Sequence, residues 1–575
     1  MQLRLLILLV FAGLCLPAPA ALADGGPIMT LSQVEPGMQC TGETVVQGTT
    51  ISSFGVQVID IVNQPGEGAR ILVQVSGAAV ASTGIAEGFS GSPVYCPDSL
   101  GTMENAGAIS EGIGQYGNNV ALVTPIEQML GEPVQPPPDA PRLAVKPTPL
   151  VGPLTVGGLS PAVFGVLQRA GEQAGRQILA SPTGGGQVTN FPVQPLIPGA
   201  SVSASYSSGD VPMGAIGTVT YVDGPTVYAF GHELDGAGRR SLLLQDAYVY
   251  YVVNNPDPTT APSYKLASPG HTEGILSSDT PNAVIGEVGT PPPTIPVDVT
   301  AHDVDTGQSL SLDTLVADET DIGLPLGSSL VDTIAPLEVA QAATQIYNGP
   351  PAAESGRMCL QIYVRESRTP FGFCNRYVGT GTAGDAGESP PELASAASGD
   401  VTTAFGDFER VDFAALHVTH VVAEIAAERG LALASIVGAH APSRVKAGRT
   451  VKVRLVVRVY RGGRRTVSFR LRIPAGASGP LAVTIHGPAA PPPASTNNLS
   501  SSLVISLSEG SAPTGSGSGS SAISSIPELR DAIASIPPYD GLYANVPGAG
   551  KQRVFRDPSL LITGRTTLLL SVEKP

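Results

Sequence analysis

The sequence predicts a mainly β protein of several domains, on three observations. Short runs rich in Val, Ile and Thr alternate apolar and polar residues, as in FGVQVIDIV from Phe54 to Val62, a pattern that buries one face of a strand. Gly (68) and Pro (53) punctuate the 575 residues densely enough for a turn-rich fold. The stretch VKVRLVVRVYRGGRRTVSFRLRIP sets two alternating runs around a Gly-Gly turn, the pattern of a β-hairpin. With 42% hydrophobic residues, there is apolar surface for two to four cores of about 100 to 200 residues each.

Taken in order, residues 1–23 read as a secretory signal peptide: Arg4, an apolar stretch from Leu5 to Leu16, and the small-residue site Ala21-Leu22-Ala23. No later stretch is apolar for long enough to span a membrane, so an extracytoplasmic protein without a membrane span after signal removal is expected. Residues 24–135 carry short strand-like runs at Thr44 to Val46, Phe54 to Val62 and Ile71 to Val75. Residues 136–195 read as a Pro-rich linker followed by the short helix SPAVFGVLQRAGEQAG. Strand-like runs resume over 196–345, at Ala215 to Val222, Thr226 to Phe230, Ala247 to Val253 and TPPPTIPVDVTAH. Residues 346–488, with the Gly-Gly hairpin, suggest an immunoglobulin-like β-sandwich. A flexible Ser/Gly/Pro linker over 489–525 and a C-terminal segment over 526–575, helix-like at PELRDAIASI and strand-like at TTLLLSVE, complete the chain.

Lys and Arg (32) are outnumbered by Asp and Glu (48), giving a net charge of −16 with no long basic run. Nucleic acid is therefore excluded as an expected partner, because phosphate binding needs clustered cations. Without Cys15, which lies in the signal stretch, Cys40, Cys96, Cys359 and Cys374 remain. In an oxidising compartment they suggest two disulfides, and pairing within modules favours Cys40 with Cys96 and Cys359 with Cys374. A metal site is the weaker reading, since no CxxC spacing occurs.

The stretch that carries chemistry is Gly88-Phe89-Ser90-Gly91-Ser92-Pro93-Val94, followed by Gly107-Ala108-Ile109-Ser110 and Ala121-Leu122-Val123-Thr124-Pro125. A nucleophilic serine needs a tight turn that exposes its hydroxyl and aims backbone N–H groups at the developing oxyanion, and small flanking residues permit that turn. Ser90 is the candidate nucleophile, with the N–H groups of Gly88 and Ser90 as oxyanion donors. By itself GFSGSP also reads as an ordinary Gly/Ser/Pro turn. His232, after an apolar strand in TVYAFGHELDG, is the candidate general base, and a lone strand-end histidine is also commonly a plain surface residue. His271 is a fallback base. His417 and His420 lie in an alternating run that points them to opposite faces, which disfavours a shared metal. The basic tip Arg461 to Arg465 reads as a solvated hairpin end.

The order GxSGSP, GAIS, then an apolar strand running into a short helix resembles the C-terminal barrel of trypsin-like serine peptidases. With GTVTYVDGPTVYAFGH, SYKLASPG and GEVGTPPPTIPV, the chain resembles the SpoIVB-type serine peptidases over roughly residues 36 to 130 and 195 to 300. That resemblance implies a trypsin-like double β-barrel, Ser90 as nucleophile, His232 as base, cleavage of a protein or peptide substrate or of the chain itself, and no metal or organic cofactor. Two features depart from the family pattern. Ser90 precedes His232, the reverse of the family order, which implies a circular permutation or a site shared between chains. Ser76 stands where the family has its aspartate, leaving Asp235, three residues after His232, as the nearest candidate acid, with Asp60, Asp210 and Asp246 behind it. A relative without the acid implies a slow Ser-His peptidase or a catalytically inactive extracytoplasmic binding scaffold.

Overall fold

The computed structural model describes residues 26–182, 191–257, 262–322, 330–347, 349, 351–379, 390–488, 522–536 and 539–573. The expected signal peptide and nearly all of the expected 489–525 linker lie outside the described residues. Strands dominate the remainder.

The first six strands are β1 (Gln39–Val45), β2 (Ile51–Gln64), β3 (Gly68–Ser76), β4 (Pro93–Pro97), β5 (Met103–Gly112) and β6 (Val120–Pro125), and helix α1 (Ile126–Met129) follows them. They pair in the order β4-β1-β2-β3-β6-β5, and β4 also pairs with β5, so the sheet closes into a barrel. Phe54, Val56 and Val58 of β2 point inward, and a bulge between Val58 and Asp60 passes the inward place on to Ile61. A disulfide between Cys40 and Cys96 ties β1 to β4.

The stretch after this barrel is more than a linker. Strand β7 (Thr148–Pro149) pairs antiparallel with the end of β5, and β8 (Leu154–Val156) joins the next sheet. Helix α2 (Pro161–Gln173) forms where the sequence predicts it. Ser160 caps it, Pro161 pre-sets its first turn, and Val163, Val166, Leu167 and Ala170 bury one face.

The second group is β9 (Ile178–Ala180), β10 (Ser201–Gly209), β11 (Met213–Asp223), β12 (Thr226–Ala229), β13 (Gly238–Val253), β14 (Tyr264–Thr280) and β15 (Ala283–Val288). Pairing runs β10-β13-β14-β15-β12-β11, and β11 returns to β10, so the pairings of these six strands also form a ring. Next come β16 (Thr294–Asp303), β17 (Ser309–Ala317), α3 (Leu330–Gln345), β18 (Glu354–Val364), β19 (Phe371–Gly379), α4 (Glu392–Glu409) and β20 (Val418–Arg429). Their strands extend the same sheet from β10 in the order β17-β16-β20-β18-β19, and α3 and α4 cover them. Cys359 and Cys374, directly opposed in the β18–β19 register, form the second disulfide.

The remaining strands are β21 (Leu433–His440), β22 (Arg444–Lys446), β23 (Thr450–Val459), β24 (Arg464–Arg472) and β25 (Gly479–His486), followed by α5 (Ile526–Ala534), then β26 (Gly541–Val546), β27 (Gly550–Arg556), β28 (Leu561–Thr563) and β29 (Arg565–Glu573). Sheets β24-β23-β21-β28 and β22-β29-β25-β26-β27 enclose one core containing Val453, Leu455, Val483, Ile485 and Leu570. Two expected boundaries are corrected. The 346–488 module divides near residue 430, its first part belonging to the large sheet, and the 526–575 segment supplies four strands to the last two sheets. Neither later sheet is complete without strands from beyond residue 540, and local alternation does not say which strand pairs with which.

Candidate functional site

The serine turn lies between β3 and β4, on the face of the first barrel that meets the second. Phe89 N–H donates to Ala86 O at 3.0 Å, and Phe89 O accepts from both Ser92 N–H (2.9 Å) and Ser92 Oγ (2.6 Å), which winds the chain tightly around Ser90. Gly91 has φ +91°, and a Cβ there would stand 1.9 Å from Thr218 O, so only glycine fits. Ser90 is fully buried; its carbonyl accepts from Thr218 N–H of β11 at 2.8 Å, and its Oγ has no hydrogen-bond partner. The second barrel therefore grips the turn from its other side.

His232 follows β12 through two left-handed residues, Phe230 (φ 70°) and Gly231 (φ 72°). A Cβ on Gly231 would meet Ala108 Cβ at 3.0 Å and Ser110 Cβ at 3.3 Å, and Thr124 Oγ1 of β6 donates to Gly231 O at 2.7 Å. This corner is thus pressed onto β5 and β6 of the serine-bearing barrel. Phe230 N–H also bonds Thr218 O at 3.3 Å, the peptide next to the one that holds Ser90. One chain brings the two corners together, although no hydrogen bond joins Ser90 Oγ to His232 Nε2.

The imidazole has a defined tautomer. Its Nδ1 lies 2.6 Å from the carbonyl oxygen of Glu233, and since a carbonyl only accepts, Nδ1 carries the proton and Nε2 the lone pair. Nε2 is buried and unpartnered. Burial lowers the His232 pKa to about 4; the Glu233 carbonyl opposes that shift and the positive charge of Arg70 adds to it. At neutral pH the ring is an uncharged base.

Asp235 does not serve as the acid beside this ring. Its carboxylate bonds Arg240 Nη1 at 2.5 and 2.6 Å and accepts from Tyr206 Oη at 3.3 Å, while the Nδ1 it would have to hold is taken by a main-chain carbonyl. Burial raises the Asp235 carboxyl, but Arg240 outweighs it, and the pKa lies below the ordinary value. Among the other acids, Asp60 caps Ile61 N–H, Asp210 accepts from Asp313 N–H, and buried Asp246 pairs with His271 Nδ1 at 3.0 Å. His417 and His420 take separate carboxylates, Glu366 and Asp298, and no cluster of three or more metal-ligand side chains occurs among the described residues.

Of the two expected oxyanion donors, Ser90 N–H donates to no carbonyl among the described residues. Gly88 N–H is occupied: it donates to Leu150 O at 3.2 Å. Sequence reasoning also passed over Lys265 of β14. Its Nζ donates to Thr44 Oγ1 (2.9 Å) and Thr218 Oγ1 (3.2 Å), and Thr218 Oγ1 donates in turn to Gly88 O at 3.0 Å. The ammonium is 5.1 Å from the Phe89 ring centre, and complete burial lowers its pKa to about 7. Lys265 thereby fixes the Gly88 peptide from below. The available signal was a lone charge inside the otherwise uncharged run SYKLASPG. The main-chain partner of His232 leaves no side-chain signature at all.

The chain matches no protein-family model, no curated protein and no solved structure.

Proposed function

We propose that this chain is an extracytoplasmic serine endopeptidase with a permuted trypsin-like double barrel resembling SpoIVB-type peptidases, followed by an immunoglobulin-like sandwich. Ser90 Oγ attacks the scissile carbonyl and His232 Nε2 accepts its proton, then returns it to the leaving amine; a water activated by the same nitrogen hydrolyses the acyl-enzyme. The observation that carries this reading is that two buried atoms, Ser90 Oγ and His232 Nε2, both lack a partner and lie on corners bonded to the same residue, Thr218. A buried polar atom left without a partner costs free energy, and a reacting group accounts for that cost. Catalytic hydrogen bonds commonly tighten only when substrate arrives.

The Glu233 carbonyl performs one task of the missing aspartate, holding the tautomer, but supplies no full negative charge for the imidazolium. Turnover slower than that of a full triad follows. A second reading, an inactive binding scaffold, is favoured by the commitment of Asp235 to Arg240. Cleavage of a denatured protein substrate separates the two: activity in the wild type that is lost in Ser90→Ala and His232→Ala supports the peptidase, and none in a folded wild type supports the scaffold.

A further inference from the structure

The segment Thr148 to Leu150 is laid along the end of β5, beside the serine turn. A peptide is cut as an extended strand added to a sheet edge beside the nucleophile, with the carbonyl of the scissile bond on the oxyanion donors. Thr148 and Pro149 run antiparallel to β5, opposite Gly112 and Glu111. Leu150 N–H donates to Ser110 O at 2.9 Å, and Leu150 O accepts from Gly88 N–H at 3.2 Å, two residues from the unpartnered Ser90 Oγ. The Leu150 side chain is 4% exposed and bounds a small cavity with Ile85, Gly112, Ile113 and Val120. The chain then crosses to the second barrel, where a Cβ on Gly152 would stand 2.4 Å from Ile216 O, and enters β8.

We infer that Thr148–Leu150 is a built-in substrate strand and that the Leu150–Val151 peptide bond is cut by Ser90 of the same chain. This rests on the peptidase reading and adds a preference to it: an aliphatic side chain of leucine size on the acyl side of the scissile bond. Ser90 Oγ bonds to the Leu150 carbonyl carbon while its proton passes to His232 Nε2. The bond to Val151 nitrogen breaks as that proton moves to the nitrogen, freeing a new amino terminus. Water then hydrolyses the ester, leaving Leu150 with a carboxylate and Ser90 restored. The apolar lining explains why leucine fits, and the one hydrogen bond at Gly88 aligns the carbonyl.

The cut chain would stay in one piece under native conditions and fall apart under denaturing ones. Strands from both sides of the cut meet through Thr218–Ser90, Lys265–Thr44 and Asn105–Thr220 contacts. Neither disulfide crosses the cut, because Cys40–Cys96 precedes it and Cys359–Cys374 follows it.

The test is intact-mass measurement and amino-terminal sequencing of the purified, signal-processed chain after incubation at neutral pH. Wild type, Ser90→Ala and Leu150→Asp are compared, with fluorophosphonate labelling of each. The expected result is a fragment ending at Leu150 and another beginning at Val151 in the wild type, none in Ser90→Ala, and cleavage slowed about 100-fold in Leu150→Asp, whose carboxylate is disfavoured in an apolar pocket. Cleavage at Leu150–Val151 that persists in Ser90→Ala, or cleavage only elsewhere, overturns the inference. An uncut wild type whose Ser90 labels, or an uncut wild type whose Ser90 labels only in Leu150→Asp, overturns it and leaves the peptidase standing. An uncut wild type with no labelling of any variant overturns both. Ser90→Ala removes one buried oxygen, and circular dichroism on each variant keeps loss of fold apart from loss of cleavage.

Discussion

At the residue scale, a histidine with a main-chain partner replaces the expected histidine with a carboxylate. Burial holds His232 near pKa 4, below the ordinary 6.5, so protonation removes the base only in strong acid. The rate of Ser90 acylation should therefore stay level from pH 8 to about pH 5 and fall to half near pH 4. A midpoint near 6.5 would mean a solvated imidazole and a different site. Lys265 acts through the Thr218 hydroxyl on the Gly88 peptide. Lys265→Met should slow acylation roughly 10-fold, about the worth of one hydrogen bond. Thermal stability should not fall, since Thr44 and Thr218 keep each other as hydroxyl partners at 3.3 Å and the substitution removes a fully buried ammonium. Unfolding of this variant would show instead that the lysine is a structural support.

At the scale of elements, the site is made by two corners, each forced by glycine. Gly231→Ala brings a Cβ to 3.0 Å from Ala108 Cβ while φ is +72°. It should cost about 1 to 3 kcal/mol of stability by denaturant unfolding and abolish acylation, because the His232 corner must retreat from β5. The Cys40–Cys96 disulfide spans a sequence separation of 56, and replacing both cysteines with alanine should remove roughly 2 to 4 kcal/mol in the same assay.

What was legible followed the physics of each element. Strand β2, helix α2, the β23–β24 hairpin and both disulfides have local signatures: period-two alternation, a capped amphipathic period, a Gly-Gly turn and cysteines within one module. The tight turns around Ser90 and before His232 were legible through the glycines they demand. Helix α3 was not, because burial on nearly every side, Pro336 included, erases its amphipathic period. The pairing of Thr148 and Pro149 with β5 was hidden because two paired residues in a Pro-rich stretch look like any linker. Nor does any local pattern reveal that strands from beyond residue 540 complete the final sheets.

At the scale of the whole molecule, the order of parts is resolved by contact. The serine barrel comes first in the chain, and Thr218 and Thr220 of the second ring hold Gly88, Ser90 and Gly91 directly. The Ser90 turn and the corner before His232 therefore meet within one chain. Mixing folded Ser90→Ala with folded His232→Ala should restore no activity in a peptide-cleavage assay. Restoration toward half the wild-type rate would show that the two corners meet between chains.

On the peptidase reading, Ser90 is an activated nucleophile served by His232. Fluorophosphonate labelling of the purified protein, with the modified residue mapped by peptide mass spectrometry, tests it most directly. The expected result is a single adduct on Ser90 in the wild type and in Leu150→Asp, with no adduct in Ser90→Ala or His232→Ala. A folded wild type and a folded Leu150→Asp that both stay unlabelled, or an adduct on Ser90 that persists in His232→Ala, would contradict it.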